Sequence, residues 1–253
     1  VGRVRFVLLD TRSESDFYGQ SAGEGIMIGA TQLAWLLDII ENLQEQLLVI
    51  TVQIPWIVTG SPIVEDDWGH CRPEREAISN AIQAHAKGRV LLLHGDAHMV
   101  AMDDGTNTNF ATSPDGPGPP LMCFAPLHQD NSVKGGPYSL GTYTQSQTQY
   151  GIVDIDDDGS TITVTGYGIR ADTDAVMVSH AFEVSPFEWG EWSDWAESDD
   201  PGGITWGAAS DSASATQVVD DEVPQITGSL AVIVDLGGTL SAPAATIPEL
   251  SGS

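Results

Sequence analysis

The chain has 253 residues, 41% of them hydrophobic, enough to fill the core of one large domain, or of one domain with an appendage; wholesale disorder is excluded. It carries 36 acidic against 9 basic residues, a formal charge of −27, which opposes binding to nucleic acid or anionic membranes and suits high salt or surface binding of divalent cations. No run of about 18 apolar residues occurs, so no transmembrane helix is expected.

Two cysteines, Cys71 and Cys123, are too few for a disulfide framework, although one bridge between them stays open. Lysine occurs only at Lys87 and Lys134, a composition that suits a salt-rich setting. The first residue is Val1, and no basic, apolar and small-residue leader precedes the strand-like "VGRVRFVLLD". The chain therefore reads as a fragment, since a compact domain rarely opens on a buried strand.

In chain order, "RVRFVLLD" (3–10) is almost continuously apolar, the pattern of a strand buried on both faces. In "TQLAWLLDIIENLQEQL" (31–47), Leu33, Leu36, Leu37, Ile40 and Leu43 recur at helical spacing. "LLVITVQIPW" (47–56) is again strand-like. "RPEREAISNAIQAHAKG" (72–88) is the best-marked helix: Pro73 and two glutamates suit its first turn, Lys87 its last, and Gly88 can end it. "RVLLLHGDAH" (89–98) is a third buried strand. The order β-α-β-α-β predicts a parallel sheet with right-handed crossovers.

Residues 103–120 form a Gly/Pro/Asn-rich loop of the functional or mobile kind. "LMCFAPL" (121–127), "YGIVDID" (150–156), "STITVTGYGI" (160–169) and "AVMVSHAFEV" (175–184) are expected as antiparallel strands with short turns. "DIDDDG" (154–159) matches the start of an EF-hand loop, but Thr165 stands where the bidentate Glu belongs, so a hairpin turn is expected. No Lys or Arg follows Arg170. The expected division is a folded part, 1–185, and an acidic Ser/Gly/Ala/Asp-rich low-complexity tail, 186–253. Within the tail, "GSLAVIVDLGG" (228–238) could add an edge strand, and the tryptophans of "WGEWSDW" (189–195) could anchor it.

Ligands of an open α/β sheet bind beyond the carboxyl ends of its strands. Asp10 and Arg12 follow the first strand, Gln53 lies near the end of the second, and Asp96 and His98 follow the third. Residues two apart in an extended chain point to one side, so Asp96 and His98 are expected to project together, with Gly95 letting the backbone bend. A carboxylate with an imidazole suits iron, zinc or manganese. The structural alternative is a turn-capping Asp96 and a rim histidine. Arg12 is a candidate for holding phosphate, although an Arg so placed more often forms a structural ion pair. His94, between Leu93 and Gly95, is expected to support or pack rather than ligate. His70 and Cys71 read as a loop leading into the helix at Pro73, and Cys123 as an inert core thiol. Neither a Gly-rich phosphate loop nor a G-x-S-x-G elbow occurs.

Taken together and in order, "FVLLDTRS" (6–13), "GATQLAWLL" (29–37), "DDW" (66–68) with "PEREAI" (73–78), "LLLHGDAHM" (91–99) and "QYGIVDIDDDG" (149–159) resemble the PhoD-like alkaline phosphatase and phosphodiesterase family of the calcineurin-like metallophosphatases. The resemblance spans about residues 4–184 and covers the carboxy-terminal half of that catalytic domain. It implies an α/β fold: a metallophosphatase-like β-sandwich flanked by helices, parallel βαβαβ followed by antiparallel strands. It implies a secreted or periplasmic protein that hydrolyses phosphate mono- or diesters with metal ions. The family's Gly-Asp-x-His motif falls on Gly95-Asp96-Ala97-His98, which makes Asp96 and His98 metal ligands for Ca2+ and Fe3+, with Zn2+ or Mn2+ as alternatives. His94 stands where the family more often has a small residue such as Ser. The family's earlier ligand segments have no counterpart in 1–90, so the chain alone is expected to be inactive or nearly so. The expected partner is a phosphate-ester substrate, and the oligomeric state is open. A second reading is a non-catalytic acidic extracellular domain that binds calcium or a partner.

Overall fold

A computed structural model describes residues 2–16, 23–58, 67–144 and 149–186, together with the backbone of one strand at 229–233. Strands β1 (Val4–Leu8), β2 (Leu47–Gln53), β3 (Val90–His94) and β5 (Leu121–Phe124) are parallel neighbours. Strands β4 (Val100–Asp103) and β6 (Thr142–Tyr143) complete the sheet antiparallel, in the order β1-β2-β3-β5-β4-β6.

Side-chain alternation divides the core in two. Val7, Leu48, Ile50, Val90 and Leu92 pack with Leu36 and Ile40 of α1 (Gly29–Glu41) and with Ile78 and Ile82 of α2 (Arg72–His85). Val4, Leu47, Val49, Leu91, Leu93, Met102 and Met122 pack against a second sheet. With both faces covered, β2 and β3 are apolar at nearly every position and buried almost throughout. The parallel β-α-β-α-β order is as the sequence predicts.

The second sheet is antiparallel, in the order β10-β7-β8-β9, and consists of β7 (Gln149–Asp157), β8 (Ile162–Arg170), β9 (Val176–Glu183) and β10 (Ser229–Ile233). Its inner face offers Val153, Ile155, Ile162 and Val164, and three glycines. A Cβ on Gly151 would lie 1.9 Å from the Phe124 ring, one on Gly166 2.3 Å from Met122 Sδ, and one on Gly168 2.1 Å from Val100 Cγ1. The absent side chains let Phe124, Met122 and Val100 sink into the facing sheet, so the glycines set the spacing of the layers.

Helix α1 begins without a side-chain cap of its own. Buried Glu74, from the first turn of α2, supplies one: its carboxylate accepts the N–H groups of Met27 (2.7 Å), Ile28 (3.0 Å) and Gly29 (3.0 Å). One buried acid thus satisfies the start of one helix from the start of another.

Several sequence expectations need correction. β3 ends at His94 rather than near His98, because residues 95–99 turn instead of extending. The 121–127 segment joins no hairpin of the antiparallel sheet; β5 inserts between β3 and β4, parallel to β3. β4 and β6 are not apparent in the sequence: they are short, and each is defined by its pairing, β4 with β5 and β6 with β4. Cys71 and Cys123 are both buried thiols, and no disulfide joins them. The 103–120 loop is built around buried Asp103, which accepts from Gly105 N, Asn107 N and Nδ2, and Ser139 N at 2.8–3.0 Å.

Other expectations agree with the structure. A 3-10 turn at Trp68–His70 leads into α2, and "DIDDDG" lies in the β7–β8 hairpin. Residues 229–233 pair at the edge of the second sheet, whereas "WGEWSDW" lies outside the described residues. Among the described residues no helix is long and apolar enough to cross a membrane.

Candidate functional site

The carboxyl ends of β1, β2 and β3 lie side by side, and Gln53 ties them together. Its Nε2 donates to Leu9 O (2.6 Å), its Oε1 accepts from Thr11 Oγ1 (2.6 Å), and its carbonyl accepts from Gly95 N (2.9 Å). Gln53 has φ 58° and is the centre of a γ-turn closed by Ile54 N on Val52 O at 2.7 Å. Asp96 repeats the device at the next strand, with φ 59° and Ala97 N on Gly95 O at 2.6 Å. Such turns with a positive central φ are rare and strained for residues bearing a Cβ.

The turn changes how Asp96 and His98 are presented. They do not follow one another along a strand, as the extended-chain reading required. Each instead meets the loop between β5 and β6. The Asp96 carboxylate forms a half-buried ion pair with Lys134 Nζ at 2.9 Å. His98 Nδ1 lies 2.6 Å from the Asp130 carbonyl. A carbonyl only accepts, so the ring proton sits on Nδ1 and the Nε2 lone pair is available for a metal. The loop is fastened by Ser132 N to His98 O (3.2 Å), Gly136 N to Ile57 O (2.8 Å) and Tyr138 Oη to Lys134 O (3.3 Å).

Beneath this turn lies His94, fully buried. Its Nδ1 donates to Gly95 O at 2.9 Å, and its Nε2 is 3.5 Å from the Tyr138 hydroxyl. Burial pushes the His94 imidazole down to about 4, so it is neutral and its tautomer is set by the Gly95 bond. It supports the site and does not line it, as the sequence led us to expect. Cys123 is buried beside the Gly95, Ala97 and Met99 carbonyls, with its thiol pushed up by burial, an inert position.

Arg12 lies in the exposed turn after β1, two strands from β3 in the sheet order. Its backbone N–H donates to Asp10 Oδ1 (2.9 Å), as does that of Ser13 (3.0 Å), and the Ser13 hydroxyl reaches Asp10 Oδ2 at 2.5 Å. These bonds hold Asp10 down at about 2, so it is a carboxylate at any working pH. A crevice of about 700 Å³ opens beside it, lined by Leu8, Asp10, Gln32 and Trp35 among others.

Among the described residues no group of three His, Cys, Asp or Glu gathers as a metal cluster. The donor chemistry of Asp96 and His98 nonetheless fits two positions of one. A metal-binding histidine characteristically donates its second ring N–H to a carbonyl or carboxylate, which is the bond His98 makes to Asp130. Asp96 carries a cation partner already, in the form of an ammonium. Lys134 and Asp130 escaped sequence reading because nothing in their spacing ties them to 95–98. The one available signal was that Lys134 is among only two lysines.

No protein-family model matches this chain, and no curated protein matches it. Among solved structures, one described as "Structure of PhoD" is similar over 73% of this chain and 42% of that one, at 16% sequence identity and a TM-score of 0.43. The chain therefore spans less than half the length of that protein.

Proposed function

We propose that this chain is part of a metal-dependent hydrolase of phosphate mono- or diesters, with Asp96 and His98 among its metal ligands. The observation that carries the reading is the fixed tautomer of His98, whose Nε2 is left for a metal by the Asp130 bond at 2.6 Å. The ordered motifs of the PhoD-like family support it. Metal held there would lower the pKa of a bound water and stabilise charge on the phosphoryl oxygens.

This chain's own contribution is positional. Gln53 joins the strand ends, His94 supports the turn from below, and the 130–138 loop orients His98 and places a cation beside Asp96. Arg12 remains a candidate for contact with the ester. Ca2+ and Fe3+ are the metals the family resemblance favours. In the same reading the protein is exported, residues 1–185 belong to the catalytic domain, and 186–253 form an acidic appendage.

The test is metal analysis of the complete protein alongside hydrolysis of bis(p-nitrophenyl) phosphate. We expect metal-dependent turnover in the complete protein and almost none from the 253-residue chain alone. His98→Ala and Asp96→Asn should each lose tightly held metal. Unchanged metal content in both variants would sink the ligand assignment. A complete protein without metal or turnover would leave the acidic binding domain as the better reading.

A further inference from the structure

We propose that the open edge of β1 is a self-association surface, on which a second copy of this chain pairs its own β1 antiparallel across a two-fold axis. The contact is independent of the metallophosphatase reading.

The edge is open in its backbone. Leu9 N donates to Thr51 O and Leu47 N to Arg3 O, so the odd-numbered residues of β1 face β2. Phe6 and Leu8 therefore turn their N–H and C=O groups the other way, where no strand lies among the described residues. The side chains there are apolar. Leu8 is 72% exposed, Phe6 is half-buried, and Trp35 of α1, 48% exposed, lines the adjoining crevice with Leu8. Two other edges are guarded against such pairing. β6 has only two residues, and the β8–β9 ladder shifts register at Gly168 and Ile169. β1 is five residues long, with neither a register shift nor a proline.

Charge selects the occupant. At −27, most of the surface of one copy repels another. Residues 1–9 are the exception: they hold Arg3 and Arg5 and no acid, whereas Asp10 and Glu14 line the crevice after β1. Antiparallel pairing centred on Phe6 sets Val4 beside the partner's Leu8. It also lays the basic end of each strand against the acidic crevice of the other copy. Arg3 and Arg5 are held by Asp157 and Glu45 of their own chain, but their side chains are 31% and 36% exposed. A guanidinium has five donors, enough to serve a second carboxylate. Parallel pairing would set like ends together and could not close on itself, whereas the two-fold contact is self-complementary. It joins the two six-stranded sheets edge to edge and covers both exposed leucines.

The experiment is sedimentation equilibrium of the 253-residue chain in high salt, where long-range repulsion is screened. Wild type is compared with Leu8→Pro, Leu8→Lys and Val176→Lys. Wild type should sediment as a dimer. Leu8→Pro removes an N–H that points away from β2, so it should fold as wild type does and sediment at half the mass. Leu8→Lys puts an ammonium opposite the partner's Val4 and should do the same; it carries the test if proline disturbs β1. Val176→Lys alters an exposed apolar position of β9, 54% exposed, and should stay dimeric. A wild-type chain that remains monomeric overturns the proposal, and means that solvent or a different polypeptide segment covers this edge. A dimer that survives both Leu8 variants, or one lost only in Val176→Lys, places the contact elsewhere and overturns it too.

Discussion

The interface between the two sheets and the carboxyl edge of the larger sheet use backbone in opposite ways. At the interface, glycines stand where any side chain would collide: Gly151, Gly166 and Gly168 sit opposite Phe124, Met122 and Val100. At the edge, Gln53 and Asp96 stand where glycine would be comfortable, at φ 58° and 59°. The first choice favours packing. The second tolerates strain to keep an amide and a carboxylate in place. Close approach of backbone and side chain marks the interface, and positive backbone angles on residues with side chains mark the edge.

The largest test of that contrast lies in the interface. Gly151→Ala puts a carbon where the Phe124 ring now sits, 1.9 Å away. Overpacking of this severity should cost about 3 kcal/mol, read from urea unfolding. A cost below ~1 kcal/mol would mean that the sheets reseat freely and the glycines do not set their spacing.

Next comes pH, because His94 gives the edge a buried footing. Its imidazole is pushed down to about 4 by burial, against about 6.5 in the unfolded chain, so the unfolded state takes up the proton first. The contribution of neutral His94 is complete above pH 6.5 and is lost as pH falls towards 4, up to about 3 kcal/mol. His94→Gln should flatten the stability profile across that window. A profile that is equally steep in the variant would place the proton uptake elsewhere.

Glu74→Gln comes third. It replaces a carboxylate that accepts three N–H groups with an amide that offers one acceptor oxygen, and should cost about 2 kcal/mol by thermal or urea unfolding. Full retention of stability would show that the start of α1 finds other partners. The smallest effect belongs to Asp96→Gly. Relief of the positive φ and loss of a half-exposed ion pair should nearly cancel, leaving stability within about 1 kcal/mol while metal binding falls. A large loss of stability would make Asp96 structural and erase the contrast between edge and interface.

The fold was legible wherever the hydrophobic pattern is local. β1, β2, β3 and both helices are marked by continuous apolar runs or by a 3.6-residue period, and Pro73 and Gly88 bracket α2. The insertion of β5 was not legible, because parallel and antiparallel pairing partners bury the same apolar face and "LMCF" is equally suited to either. At the site, Asp96 and His98 could be singled out from their place after a buried strand. Their actual partners, Lys134 and the Asp130 carbonyl, lie 38 and 32 residues further along the chain and carry no periodic signal.

Sequence alone determined the class of fold, the strand that precedes the candidate ligands and the edge at which they emerge, since these follow from short-range periodicity and chain order. It also determined that His94 and Cys123 belong to the interior, because apolar neighbours surround both. Tertiary structure alone decided that 95–98 turns rather than extends, that His98 carries its proton on Nδ1, and that Asp96 faces an ammonium. The physical reason is common to all three. A tautomer, an ion pair and a strained φ each exist only by virtue of a partner, and the partners come from a loop that the fold, not the local sequence, brings back to the end of β3.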